Sequence, residues 1–191
     1  MSPSDQPEQP TTAAAAVDST ARIDDLGEFL VHALELEHES AAHYAQLADT
    51  MEVHHNVDVS ALFRHLAALS AEHAERIAER GRGVALPRLA PWAFKWTCPG
   101  SPEGGNCLDL EVSYQMTAPQ ALRLALHNET RGHAFYAHVA ATSSDAQVRR
   151  MAAEAVAEES EHVARLQKLL DEHRQGGEDR LEDLDPPHAP A

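Results

Sequence analysis

Aromatic residues make up only 5% of the 191 residues, fewer than sandwich or barrel cores use, and no useful stretch alternates apolar with polar. Basic residues are also scarce: 15 Lys and Arg stand against 31 Asp and Glu, a formal charge of −16. Such a balance argues against a phosphate-binding surface, so nucleic acid is not expected as a partner. The two cysteines, Cys98 and Cys107, are too few for a disulfide scaffold and too far apart for a C-x-x-C site. They could still close a bridge in an oxidising compartment, so their pairing stays open. No run approaches about 18 consecutive apolar residues, so no membrane span is expected. The polar, acidic start shows no basic segment leading into an apolar run, and a cytoplasmic location is expected.

Proline is missing where helices could form. None falls in residues 11–86 or 120–185, while a cluster at Pro87, Pro91, Pro99, Pro102 and Pro119 separates the two stretches. Each stretch has one polar interruption, Glu52-Val-His-His-Asn-Val-Asp58 and Ala141-Thr-Ser-Ser-Asp145. Two helix starts show the spacing of a capping box, Thr117 with Gln120 and Ser144 with Gln147, and Gly81 and Gly83 can end the second helix. The pattern predicts helices near residues 24–51, 59–80, 118–141 and 145–173. Connections that run short, long, short suit an all-α, ferritin-like four-helix bundle: two antiparallel helix pairs joined by a long crossover. The expected organisation is a disordered segment 1–21, a bundle 22–173 with its crossover at about 81–117, and an acidic, disordered tail 174–191. Trp92 and Trp96 are expected to anchor the crossover on the bundle or on a second subunit, which leaves a homodimer open.

The helical seams carry polar residues where a core should be apolar. The first reads Leu26, Leu30, Ala33, Glu37, Ser40, Tyr44, Leu47, Met51, in steps of three and four. The second reads Val59, Phe63, Leu66, Ser70, His73, Ile77, and the third Leu122, Ala125, Glu129, Gly132, Tyr136, Val139. The fourth, from Val148 to Leu169, contains both Glu159 and His162. A buried unpaired carboxylate costs several kcal/mol, so each of these glutamates needs a partner, a proton or a metal. The halves also repeat each other. Residues 37–48 align without gaps to 129–140, with Glu, then Tyr seven residues on, then Ala and Ala in common, and residues 70–77 align to 159–166.

For any single residue, a hydrogen-bonded polar network is the ordinary explanation. Five in register on four helices, repeated between halves, favour a metal site at Glu37, His73, Glu129, Glu159 and His162. Carboxylates and imidazoles without thiolate suit iron, ahead of manganese. The other histidines, including His38, His43, His54, His55, His65, His133 and His138, are expected at the surface. Tyr44 and Tyr136 are expected in the core, bonded to neighbouring carboxylates.

On these residues the chain resembles the rubrerythrin-like branch of the ferritin-like di-iron proteins. The resemblance runs over about residues 24–171 and rests on Glu37 with Tyr44, Phe63-x-x-Leu66-Ala67 leading to His73, Glu129 with Tyr136, and Glu159-x-x-His162. The family pattern has a Glu on helices 1 and 3 and Glu-x-x-His on helices 2 and 4. Five of the six positions match, and Ser70 stands where the sixth calls for glutamate. The family's rubredoxin-like domain has no counterpart, since no pair of C-x-x-C motifs exists. The resemblance implies non-haem iron, redox chemistry on H2O2 or O2, and an external electron donor. Three outcomes at Ser70 remain: an asymmetric two-metal site, a single ion, or a vestigial site. The alternative function is a non-catalytic iron-binding or protein-interaction module, with ferroxidase-type storage a further option.

Overall fold

The structure, a computed structural model, describes residues 22–96 and 113–175. Four α-helices carry it: α1 (Leu26–Val53), α2 (Val57–Arg80), α3 (Ala118–Thr142) and α4 (Ala146–Gln175). A short 3-10 turn at Pro91–Ala93 interrupts the crossover. The described residues contain no strand. Helices pair in chain order, α1 with α2 and α3 with α4, giving a four-helix bundle. No helix among the described residues is long and apolar enough to cross a membrane. Residues 1–21 and 176–191 and both cysteines lie outside the described residues; at the tail boundary, α4 continues to Gln175.

Local chemistry sets the ends. Asp25 caps α1 by accepting from the Glu28 N–H at 2.8 Å. Thr117 and Gln120 form the expected capping box, with Pro119 in the first turn of α3. The box expected at Ser144 and Gln147 does not form. Asp145 caps α4 instead, its Oδ1 accepting from the Gln147 and Val148 N–H groups at 2.8 Å each. A carboxylate one residue later reaches those amides better, and the Ser144 N–H is engaged elsewhere, with Asp24 Oδ1 at 2.6 Å. Gly81 flanks the end of α2, and Gly83 takes a left-handed φ of 87°.

The apolar side chains form two clusters. One holds Tyr44, Met51, Phe63, Leu122 and Leu166; the other holds Phe29, Leu36, Phe135, Val139 and Val148. On every helix the polar seam residues lie in sequence between the stretches feeding these clusters. The bundle is therefore an apolar, polar, apolar stack. Burial of each large side chain contributes roughly 1.5–3 kcal/mol, so the two clusters hold a central layer that costs stability.

The crossover is tied down by Trp96 and Lys95, while Trp92 is 86% exposed among the described residues. Trp96 packs edge-on against His32 and Phe135. The Lys95 N–H donates to His32 Nε2 at 2.9 Å, and its ammonium pairs with Glu28 at 2.6 Å. Gly27 lets the crossover approach α1, since a β-carbon there would collide with the Ala85 carbonyl.

Candidate metal centre

Each helix supplies part of the polar layer. α1 brings Glu37 and Ser40, α2 Ser70 and His73, α3 Glu129, and α4 Glu159 and His162; all are buried except His162, which is partly buried. Glu159 and His162, at i and i+3, share one helix face, with Oε2 3.6 Å from Nδ1. His162 Nδ1 also lies 3.3 Å from Glu129 Oε2 across the α3–α4 pair. In the other pair, His73 Nδ1 lies 3.6 Å from Glu37 Oε1. The two imidazoles stack face to face, with centroids 4.6 Å apart and planes 14° apart, which joins the halves. Tyr44 adds a second link by donating to Glu129 Oε1 at 3.4 Å.

The five seam residues thus form one connected cluster. Ligand atoms of His73, Glu159 and His162 all lie within 4.8 Å of one another, a group that could hold a metal ion. Glu37 and Glu129 flank that group, each one contact away through an imidazole. Ser70 lies buried where the family pattern has glutamate, and it lines a cavity of about 60 Å³ that also reaches Glu37, His73, Glu129 and His162. A smaller cavity of about 20 Å³ meets Glu37, His73 and Glu159 beside Glu158, Met151 and Tyr136.

Burial and crowding move the titrations. Glu37 is pushed up to about 8, by burial first and then by the Glu129 carboxylate. Glu159 also rises to about 8 through burial, with Glu129 and Glu37 adding to the rise against the opposing pull of His162. His162 rises to about 10 because the Glu129 and Glu159 carboxylates beside it favour its charged form. His73 moves down, through burial first and then the neighbouring His162 charge. Three carboxylates in one dry layer are therefore short of positive charge.

A cation answers that shortage. Glu159 Oε2 is fully enclosed and accepts no hydrogen bond, and Ser40 Oγ is likewise enclosed without a partner. Oxygen and imidazole donors with no thiolate match a first-row divalent ion such as iron or manganese. The residues present fit such an ion, with His73, Glu159 and His162 as its nearest holders.

Over 78% of its length the chain matches the crystal structure of an uncharacterized conserved protein from Magnetospirillum magnetotacticum MS-1, covering 95% of that chain at 38% sequence identity and a TM-score of 0.60. The chain belongs to that conserved family. The family lies within the ferritin-like, rubrerythrin-like superfamily, in keeping with the helical bundle of this ferritin-like protein. Scans of protein-family models and of curated proteins gave no match.

Sequence reasoning placed the layer but missed some of its surroundings. His32 is fully buried, with Nδ1–H donating to the Glu28 carbonyl at 2.8 Å and Nε2 accepting from Lys95. The signal was available: Phe29, His32, Leu36 and Ser40 form a second helical row on α1. His43, His133 and His138 are half-buried rather than exposed, because they flank the seams; His38, His54, His55 and His65 are exposed. Arg165, beside the larger cavity, was also missed.

Proposed function

We propose that this ferritin-like protein is a rubrerythrin-like non-haem iron protein that carries out redox chemistry on H2O2 or O2 with electrons from an external reductant. The reading is carried by one observation: a buried carboxylate–imidazole cluster, drawn from all four helices, that leaves Glu159 Oε2 without a hydrogen bond. Iron, when bound, supplies reversible electron storage. The chain's own residues do the rest. His73, Glu159 and His162 would hold the ion, with Glu37 and Glu129 at its flanks. Tyr44 fixes the Glu129 carboxylate through its hydroxyl. Glu37 and Glu159, pushed up to about 8, surrender protons to the surroundings as a cation enters. The larger cavity gives a small oxidant a way to the layer, and the apolar clusters keep bulk water from it. Reducing H2O2 to two waters consumes two electrons and two protons. Those electrons come from a separate donor.

The test is peroxide consumption by iron-loaded protein with a reductant. Turnover above that of free iron, lost in Glu159→Ala while the helical fold persists, is expected. Iron retained without such turnover would leave the second reading, a non-catalytic iron-binding module, which Ser70 favours by removing one ligand.

A further inference from the structure

The larger cavity has aliphatic sides and a polar inner end. Leu62, Leu66 and Leu69 of α2 and Leu166 and Leu169 of α4 form the sides, while Glu37, Ser70 and Glu129 line the end. Such a pocket matches a ligand with a polar head and a hydrocarbon tail. The Ser70 hydroxyl, on a residue only 5% exposed, makes no hydrogen bond with any described residue. Glu37, 3% exposed, accepts none either, and the nearest imidazole nitrogen, His73 Nδ1, stands 3.6 Å away. Buried polar groups are ordinarily hydrogen-bonded, so two that line one cavity without partners point to a ligand between them.

Charge selects the head. One divalent ion held by His73, Glu159 and His162 sets two positive charges against the layer's three carboxylates when all are ionised. One negative charge is left over, and Glu37 and Glu129, the carboxylates outside that ligand group, are the ones that line the cavity. An anion would be repelled there, whereas a monocation completes the balance. A primary ammonium also brings the right donors, since its three N–H groups match Glu37, Ser70 and Glu129 and it requires no acceptor role to be filled. We propose that the cavity binds a short primary alkylamine as its ammonium ion, the head among Glu37, Ser70 and Glu129 and the tail among the five leucines. About 60 Å³ holds roughly four to six water-sized groups, which sets the length near four or five carbons. The exposed Arg165 at the opening opposes a cation only weakly, because solvent screens it, and the net charge of −16 favours one. The proposal rests on the metal-binding reading, because the charge left over is counted with one ion in place.

The test uses full-length protein loaded with manganese(II), after measurement of metal per chain. Methylamine, propylamine, pentylamine and hexylamine are titrated by calorimetry at pH 7, where each is protonated. Pentanol and pentanoate are the uncharged and anionic controls, and trimethylpentylammonium is a cation without N–H groups. Affinity should rise about fourfold per methylene up to pentylamine and level off beyond it. All three controls should bind at least tenfold more weakly than pentylamine. Ser70→Ala should keep the metal and weaken pentylamine about tenfold, the loss of a hydrogen bond to a charged group. Leu69→Phe, which narrows the cavity, should weaken pentylamine and leave methylamine unchanged. In proton NMR, manganese should broaden the signal of the carbon next to nitrogen more than that of the terminal methyl, and the reverse order overturns the placement of the head. Metal retained with no response to pentylamine, or with affinity independent of chain length, overturns this proposal alone. Equal binding of pentanol or trimethylpentylammonium does the same. Failure to retain any metal overturns both the proposal and the reading beneath it.

Discussion

The α1–α2 pair and the α3–α4 pair share one ligand plan and carry it out differently. In the second pair, His162 lies 3.3 Å from Glu129 and 3.6 Å from Glu159, and its titration is pushed up to about 10. In the first, His73 has Glu37 at 3.6 Å and Ser70 in place of a second carboxylate, and its titration is pushed down. Two imidazoles 4.6 Å apart thus carry different charges in the metal-free protein. Carboxylate contacts hold the proton on His162, whereas burial comes first in keeping it off His73. His162 acts as the internal counter-ion of the cluster, whereas His73 stands neutral with a lone pair ready for a cation.

Copying the first half into the second removes that distinction. Glu159→Ser should lower affinity for iron(II) or manganese(II) by at least about 100-fold, since a direct ligand should cost no less than its outer-shell supports. The same substitution should stabilise the metal-free bundle by about 1 kcal/mol, because it removes a buried carboxylate oxygen that accepts no hydrogen bond. Equilibrium dialysis and denaturant unfolding read the two effects. Affinity within tenfold of the parent would show that the two halves hold the ion without Glu159.

The metal-free and metal-loaded states should respond to pH with opposite signs. Glu37 and Glu159 titrate near 8 against a usual 4.5, and His162 near 10 against 6.5, so the folded state binds more protons than the unfolded chain throughout the interval. Stability from such groups is fully present below their unfolded values and is lost as pH rises through the folded ones. Between pH 5 and 9 the chelated protein should lose stability progressively. Metal affinity should rise over the same range, because binding displaces those protons. Thermal unfolding at pH 5, 7 and 9, with iron or with chelator, should show the gap between loaded and stripped protein widening with pH. A chelated Tm that stays level would contradict the assigned shifts.

The reverse substitution makes the first half resemble the second. Ser70→Glu should tighten binding of iron(II) or manganese(II) by about tenfold, a smaller effect because it adds one donor to a site already provided with others. It should also raise the His73 titration toward that of His162 in the metal-free state, measurable by imidazole proton NMR. A His73 that keeps its lowered titration beside a new glutamate would mean that burial outweighs the added charge.

The fold and the polar layer were legible because both follow from periodicity. Expected spans such as 24–51 and 118–141 fall within two residues of Leu26–Val53 and Ala118–Thr142, since seam spacing and proline placement act locally. Glu37, Glu129 and Glu159 were legible as wrong residues on right faces. The cavity was not legible: it arises where leucines of α2 meet leucines of α4 above Ser70, a juxtaposition that no single helix encodes. Trp92 and Trp96 look alike as crossover tryptophans, yet Trp96 meets a buried histidine and Phe135 while Trp92 is exposed among the described residues. His32 was passed over because its row borders the main seam, and its backbone partner, Lys95, lies 63 residues away.

The two hairpin turns offer the finest form of the comparison. In the first, Asn56 flanks α2 without a side-chain cap; its Nδ2 instead donates to the Met116 carbonyl at 2.7 Å, tying the turn to the approach to α3. In the second, Asp145 caps α4 with two amide bonds, while the Ser144 N–H is held by Asp24, whose carboxyl is lowered to about 2 first by that backbone bond. Asp145→Ala should therefore cost about 1 kcal/mol in urea unfolding, the usual loss for a helix cap. Asn56→Ala should cost a similar amount, since it breaks one short neutral bond to the Met116 carbonyl and two long ones, to the Tyr114 carbonyl and Met51 Sδ. Ser144→Ala should stay within about 0.5 kcal/mol, because its main contact with Asp24 runs through the backbone and survives the change. If Ser144→Ala cost as much as Asp145→Ala, the cap would belong to Ser144 and Gln147, as their spacing suggests, and the two turns would differ less than their contacts indicate.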